Sequence, residues 1–518
     1  MYLTCSVEVI SQKGNTKMNS SIYEGQVAGR KTLLLVLMML VAVCSGAIAS
    51  GKPNVIVILV DDMGWMDLSC QGSDYYKTPA IDKIAAGGMR FTNAYAACSV
   101  CSPTRGALQT GRYPHRVGVT DYIRHRLFIG RRPLKANPTE YVGGRNNKVL
   151  CPPNPFWMEH EEITIAEALK SAGYKSGYIG KWHLGDPAWY PEGQGYDVNY
   201  GGCFYGQPPS YFDPYNQPKS KHESLRKGIH GLPGRKPGEY LTHREADEAE
   251  KLIRSWHAKK QPFFLQVAHY AVHTPIQAID EIAAKYKREG KNATNAKYAA
   301  MVESVDDSTR QILATLKELG IEKDTIVIFT SDNGGLDTNG RPTDNAPLRS
   351  GKGFPYEGGI RVPFMVSWPG VVPAGKVSKT PVCSIDIFPT IMEAVGVSLP
   401  NDRVIDGLSL LGHLKSSGRV SLNRDELLWH FPHYRYGSRP YSIIRKGDWK
   451  LIKFWTGGYE LFNLATDLGE KKNLASDMPD KVKGLNTILM KRLADGKAKL
   501  PRKNPDYVPK DVTKSRKK

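Results

Sequence analysis

A chain of 518 residues, 41% of them hydrophobic and 24% charged, has the make-up of a globular protein with room for one large domain and a smaller one. The 71 Lys and Arg against 51 Asp and Glu leave a formal charge of +20, which points to a polyanionic partner: nucleic acid, an anionic surface or an acidic polysaccharide. No zinc knuckle, RNA-recognition motif or heptad-plus-basic region is present, so nucleic acid ranks below the polysaccharide and is not an expected partner.

Residues 1–49 read as a leader and signal peptide. Arg30-Lys31 precede an apolar run from Thr32 to Val43, and Ala47-Ile48-Ala49 offers a small-residue cleavage site before Ser50. The run is too short for a comfortable transmembrane helix, so export (periplasmic or secreted) is expected, with no stable membrane span. Met18 is an alternative start. Setting aside Cys5 and Cys44, the cysteines are Cys70, Cys98, Cys101, Cys151, Cys203 and Cys383, with no metal-finger spacing.

The continuous apolar run Asn54–Val60 predicts a fully buried strand of a parallel sheet, ending in Asp61-Asp62. Adjacent carboxylates at the C-terminal end of such a strand lie where open α/β sheets bind ligands, and a hard cation between them relieves their repulsion. Pro79 to Gly87 predicts a short helix. Cys101-Ser102-Pro103-Thr104-Arg105 follows: Pro103 places Cys101 in a loop, and the helix is expected to start at Thr104 with Arg105 in its first turn. A thiol at a helix N-terminus beside an arginine is in an electropositive setting, although a buried cysteine before a helix is the plainer reading. Residues 121–148 form an irregular insertion carrying Arg124, Arg126, Arg131, Arg132, Lys135, Arg145 and Lys148. They read as a solvated face or as the rim of a pocket for an anionic substrate.

Thr164-Ile-Ala-Glu167 is a capping box, and Lys175 to Ile179 is the next strand, ending in Gly180-Lys181-Trp182-His183. Thr242 to His257 is an amphipathic helix; the strand Pro262–Val267 leads to His269, read as structural, and His273. A helix from about Thr294 to Leu319 precedes the strand Thr325–Thr330, which ends in Ser331-Asp332-Asn333. Lys352 lies in Ser-Gly-Lys-Gly before an Arg361–Val366 strand. This alternation predicts an α/β fold over residues 50–424, its sheet sandwiched by helices. Residues 425–498 change to short alternating strands and a final helix, a small C-terminal α+β domain, and 499–518 are expected to be a basic disordered tail.

Asp61, Asp62, Asp332 and Asn333 are all oxygen donors at strand ends, suited to Ca²⁺ or Mg²⁺ rather than zinc. With Arg105, Lys181, Lys352, His183 and His273 gathered at the same edge, the set suits an oxyanion ester.

Cys101-x-Pro-x-Arg105 with Thr110-Gly111-Arg112 resembles the signature of the type I sulfatases, in the alkaline phosphatase superfamily. Further matches run in order from Asn54 to Leu474: Val60-Asp-Asp-Met-Gly64, Gly180-Lys-Trp-His-Leu-Gly185, His273-x-Pro275, Ser331-Asp-Asn-Gly334, Gly351-Lys-Gly353, Tyr356-Glu-Gly-Gly-Ile-Arg361, Glu460-Leu-Phe-Asn-Leu464 and Asp467-x-Gly-Glu470-x-x-Asn473-Leu474. The resemblance implies an alkaline-phosphatase-like, mostly parallel sheet and sulfate ester hydrolysis. It also implies oxidation of Cys101 to formylglycine by a maturation enzyme. Hydrated to a diol, that aldehyde offers one oxygen to attack sulfur and a second whose deprotonation expels sulfate. It further implies that Asp61, Asp62, Asp332 and Asn333 hold calcium (magnesium being the weaker choice) and that Arg105 orients the diol. Lys181 and Lys352 would bind sulfate, His183 would take a proton and His273 would protonate the leaving alcohol. His430, His433 and Arg435 are candidates for lining the substrate pocket or for stabilising an interface. A sulfated carbohydrate is the expected substrate, from the charge and the basic insertion. A phosphodiesterase or phosphonate monoester hydrolase on the same scaffold, or an inactive sugar-binding relative, are the alternatives.

Overall fold

The computed structural model describes residues 51–124, 136–288, 290–435 and 437–509. The expected leader and signal peptide, and Arg126, Arg131, Arg132 and Lys135 of the basic insertion, lie outside the described residues. An eight-stranded sheet runs in the order Lys376–Ser378, Met89–Phe91, Phe364–Ser367, Thr325–Ser331, Asn54–Val60, Phe263–Ala268, Lys175–Gly180 and Val198–Tyr200. Its strands pair in parallel except Phe364–Ser367, which is antiparallel to both neighbours. The expected strand at Arg361 starts three residues later, because Arg361 still belongs to a turn formed by Glu357–Ile360.

Both faces of the central strands are apolar, as their uninterrupted hydrophobic runs require. Ile56, Ile58 and Val60 pack with Ile84, Ile253 and Val305 from the helices Pro79–Ala86, Leu241–Ala258 and Ala293–Glu318. The alternate residues Val55, Val57 and Leu59 pack with Leu108, Leu169 and Ile391 from Cys101–Thr110, Ile165–Lys170 and Ile387–Val395. This period of two fixes the register, since a slip of one residue would exchange the faces. Val60 is paired with Ser331, and Gly180 with Ala268. Asp61, Asp332 and Lys181 therefore leave the sheet along one edge, and this is how the fold assembles the site.

The strands Glu426–Phe431, Tyr441–Lys446, Trp449–Phe454 and Tyr459–Asn463 form a separate antiparallel sheet. Leu489 and Leu493 of the helix Pro479–Asp495 pack in the same hydrophobic cluster as Ile443 and Leu451. Tyr95, Val100, Ala107 and Ile360 belong to that cluster too, so the small sheet shares its core with the segment leading to Cys101.

The expectation of disorder from Lys499 onward does not hold for residues 499–509. Arg502–Lys503 pairs antiparallel with Val149–Leu150, and Arg502 stacks over Tyr141 at 3.8 Å. Asn504 donates to the carbonyls of Gly144 and Asn147, at 3.1 and 2.7 Å. A lysine-rich composition suggests a solvated tail, but its backbone finds partners in Arg145 and Lys148 of the basic insertion and in the strand that follows it. Among the described residues no helix is long and apolar enough to cross a membrane.

Candidate active site

Cys101 is not in a loop: it is the first residue of the helix Cys101–Thr110, and Pro103 sits within the first turn, where a missing N–H costs no intrahelical bond. The side chain of Cys101 is almost fully buried. Its Sγ lies 3.3 Å from Lys352 Nζ. Burial, against the pull of Lys181 and Lys352, pushes the thiol up to about 11, so at neutral pH it carries its proton. The electropositive setting read from the sequence exists, but desolvation outweighs it.

Asp61, Asp62, Asp332 and Cys101 each offer a ligand atom, and these atoms lie within 4.8 Å of one another. Arg105, from the second turn of the Cys101 helix, donates through Nε to Asp332 Oδ2 at 2.8 Å and through Nη1 to the Lys181 carbonyl at 2.5 Å. Lys181 Nζ reaches Asp61 Oδ2 at 2.6 Å, and Lys352 Nζ reaches both oxygens of Asp62 at 2.6 and 2.8 Å. Three carboxylates thus face three buried cations. Burial and Asp332 push the Asp61 carboxyl well up. At Asp62 burial opposes ionisation, but Lys352 and His273 outweigh it and hold the group low; Arg105 does the same for Asp332.

Asn333 donates to Asp62 Oδ1 at 2.7 Å, and this turns its own carbonyl oxygen away from any hydrogen-bond donor. Asp61 Oδ1 is likewise buried without a hydrogen bond. Two such oxygens beside two further carboxylates are the donor set of a hard divalent cation, so the residues present fit a metal. Asp62 has φ 61° and His183 φ 60°. Left-handed backbone at non-glycine residues costs about 1–3 kcal/mol each, and such outliers concentrate at functional sites.

His183 is buried. Its Nε2 donates to the Ile123 carbonyl at 2.9 Å, while Nδ1 has no hydrogen-bond partner. Burial and Lys181 keep the ring neutral, well below its ordinary range. His273 donates from Nδ1 to the Thr274 carbonyl at 2.9 Å, and its Nε2 stands 3.5 Å from Asp62 Oδ2. Burial and Lys352 lower it to about 3. All ten catalytic and metal residues expected from the sequence therefore meet in one connected site.

The three pocket candidates divide. His430 is buried, with Nδ1 hydrogen-bonded to Ser442 Oγ at 2.7 Å and Nε2 donating to the Lys499 carbonyl at 3.1 Å. One nitrogen binds the small sheet and the other the segment that follows its helix, which fits the interface alternative. His433 meets Thr120 Oγ1 at 2.8 Å, and Arg435 lies 3.5 Å above the Tyr122 ring, whose centre is 6.4 Å from that of His183. These two pack beside the site, against Thr120 and Tyr122. Ser102 has no role expected from the sequence, yet it holds the site together. Its hydroxyl donates to the His183 carbonyl at 2.9 Å and accepts from Ile123 N–H at 3.0 Å, tying the Cys101 helix to the histidine and to Ile123, its ring's hydrogen-bond partner. The only signal was its place inside the Cys-Ser-Pro-x-Arg run.

Sheet and site together fit the α/β hydrolases of the alkaline phosphatase superfamily, with an acidic cluster beside Cys101 at the strand ends. Residues 53–397 match the family described as Sulfatase, and residues 350–499 the one described as N-sulphoglucosamine sulphohydrolase, C-terminal. N-acetylgalactosamine-6-sulfatase of Mus musculus is 34% identical over 456 residues, covering 86% of this chain and 80% of the relative. Arylsulfatase A of Homo sapiens is 30% identical over 448 residues, covering 81% and 78%. The crystal structure of Ps i-CgsB in complex with k-i-k-neocarrahexaose superposes with a TM-score of 0.72 at 30% identity, covering 90% of this chain and 96% of the other. The chain belongs to the sulfatase family and is a sulfuric ester hydrolase.

Proposed function

We propose that this sulfatase removes sulfate from a sulfated carbohydrate, using a hydrated formylglycine generated from Cys101 by a maturation enzyme. The observation that carries the mechanism is Cys101 itself. Its side chain abuts Lys352 and shares the acidic cluster, yet burial keeps the thiol protonated, a poor nucleophile where every other part of the site is prepared. An oxygen nucleophile at the same position removes the contradiction.

Asp61, Asp62, Asp332 and Asn333 would hold a calcium ion. When bound, it would withdraw charge from the oxygens it touches and lower the cost of gathering three carboxylates. Lys181 and Lys352, now paired to Asp61 and Asp62, would turn part of their hydrogen-bonding capacity to the sulfate oxygens, and Arg105 would hold the diol. One diol hydroxyl gives up its proton to solvent as its oxygen attacks sulfur, and the bond from sulfur to the alcohol oxygen breaks. The departing alcohol takes a proton from His273, whose protonated form an anionic ester would favour by offsetting Lys352. His183 then accepts the proton of the second hydroxyl on Nδ1, the aldehyde forms again and sulfate leaves. The unpartnered Nδ1 supports this assignment.

Several features support a carbohydrate substrate: the similarity to N-acetylgalactosamine-6-sulfatase and to a structure holding neocarrahexaose, together with the charge of +20. Arg435 and Tyr122 would border that substrate. The leader motif supports export with cleavage after Ala49, and residues 425–498, the small sheet with its helix, are proposed as a second domain packed on the first.

Desulfation of a panel of sulfated oligosaccharides is expected to exceed turnover of small aryl sulfates in kcat/KM; activity confined to aryl sulfates would sink the carbohydrate reading. Rates on matched phosphate and phosphonate esters test the alternative chemistry and are expected to be far lower. Calcium binding and oligosaccharide binding without turnover would instead mark an inactive relative. Exhaustive chelation is expected to remove activity and to lower thermal stability. Calcium at about 100 times its dissociation constant should restore about 2.7 kcal/mol, read as a concentration-dependent rise in Tm.

A further inference from the structure

Two stretches that carry the family resemblance have no part in this chemistry: Tyr356-Glu-Gly-Gly-Ile-Arg361 and Asp467-x-Gly-Glu470. They meet in a buried charge cluster behind the site. Lys450 Nζ, from the small sheet, is 2.9 Å from Glu357 Oε1 and 2.8 Å from Glu470 Oε1. Glu470 Oε2 accepts the backbone N–H of Glu357 at 2.6 Å. Tyr95 Oη donates to Glu357 Oε2 at 2.8 Å, and Arg361 Nη1 is 3.3 Å from the same oxygen. Glu357, Lys450 and Glu470 are fully buried, so removing any one leaves a charge with no water to turn to.

The held object is the short turn Glu357–Ile360, and its other side belongs to the site. Gly359 accepts from the N–H of Gly334, next to Asn333, at 3.0 Å. Gly358 donates to the Arg349 carbonyl at 3.0 Å, three residues before Lys352. Ile360 accepts from Ala96 N–H at 2.8 Å, on the segment leading to Cys101. The contacts leave no slack: a Cβ on Gly358 would lie 2.1 Å from the Ser350 carbonyl oxygen, and one on Gly334 1.8 Å from the Gly358 oxygen.

We propose that Lys450 and Glu470 are positioning residues for the catalytic site, fixing through this turn the placement of Asn333 and Lys352. The C-terminal sheet then sets the precision of the cation and sulfate contacts without touching either. The inference rests on the reading of Asn333 and Lys352 as cation- and sulfate-holding groups, so the test separates the two.

Calcium binding is measured by titration calorimetry on the full chain, and KM and kcat on a chromogenic aryl sulfate. Glu470→Ala is expected to weaken calcium binding and raise KM by about tenfold each, the equivalent of one charge-assisted hydrogen bond, with circular dichroism unchanged. Glu470→Gln keeps an acceptor for Glu357 N–H and is expected to recover most of both. Tyr95→Phe removes the 2.8 Å bond to Glu357 Oε2, together with the bond that the same hydroxyl accepts from Arg445, while leaving Glu470 and Lys450 in place; it is expected to shift both constants in the same direction by less, and it decides the matter if Glu470→Ala does not fold. A folded Glu470→Ala with lowered Tm but unchanged calcium affinity and KM would overturn the positioning role, as would an unchanged Tyr95→Phe should the alanine variant fail to fold. Absence of calcium binding in the unaltered protein would instead overturn the metal reading on which it rests.

Discussion

Cys101→Ala is expected to lower turnover of any sulfate ester by a factor on the order of 10³ or more, because it removes the nucleophile while leaving the charged walls in place. Cys101→Ser is the sharper variant. A serine oxygen can attack sulfur and release the alcohol, but it has no second hydroxyl with which to expel sulfate. It is therefore expected to release at most one equivalent of alcohol and then stop, with a mass gain of one SO₃ on the peptide that carries residue 101. Intact-mass analysis of the unaltered protein from its native source completes the test. Formylglycine replaces the thiol by an aldehyde and lowers the peptide mass, whereas an unmodified, fully active thiol would reject the proposed nucleophile. Both variants are expected to fold, since the side-chain hydrogen bond of Cys101 is to Lys352, whose main ion pair is to Asp62.

Arg105→Ala carries the second large effect, on stability as well as on rate. The guanidinium is 2% exposed, 2.8 Å from Asp332 and 3.6 Å from Asp61, and both carboxylates are wholly buried. Deleting one member of a buried charge pair costs about 3–5 kcal/mol, because the partner stays in a medium that cannot solvate it. The cost here is expected at the upper end, since two carboxylates lose the same cation. Urea unfolding should show it as a lower midpoint, and saturating calcium should recover part of it. Arg105→Lys keeps the charge but not the fork that also reaches the Lys181 carbonyl, and is expected to rescue stability more than rate. A loss below about 1 kcal/mol without calcium would show that the acidic cluster does not depend on Arg105.

The central sheet was legible because its strands are uninterrupted apolar runs, and its reactive edge because each run ends in a polar cluster. Lys181, Asp332 and Asp61 were found in this way, each as the residue just beyond a strand or its last paired position. What escaped the sequence was settled by tertiary partners. Cys101 reads as a loop residue when Pro103 is taken as a breaker, but a first turn tolerates proline. The Lys499–Pro509 segment is solvated by composition and ordered by a strand edge some 350 residues away in sequence. His430 carries the same local signal as a ligand histidine, and only Ser442 and the Lys499 carbonyl reveal it as a packing group. No sequence rule announces that Ile123 will offer its carbonyl to His183, because a backbone acceptor has no letter.

The register that brings Asp61 beside Asp332 also orders events during synthesis. Asn54–Val60 pairs on one side with Phe263–Ala268 and on the other with Thr325–Ser331, so its second edge has no native partner until more than 260 further residues exist. A bare, apolar edge over that interval is an aggregation hazard and a natural client site for chaperones. The same delay keeps Lys352 away from Cys101. The oxidation proposed for Cys101 would thus have a window on the growing chain, before the last central strand docks and the side chain is buried.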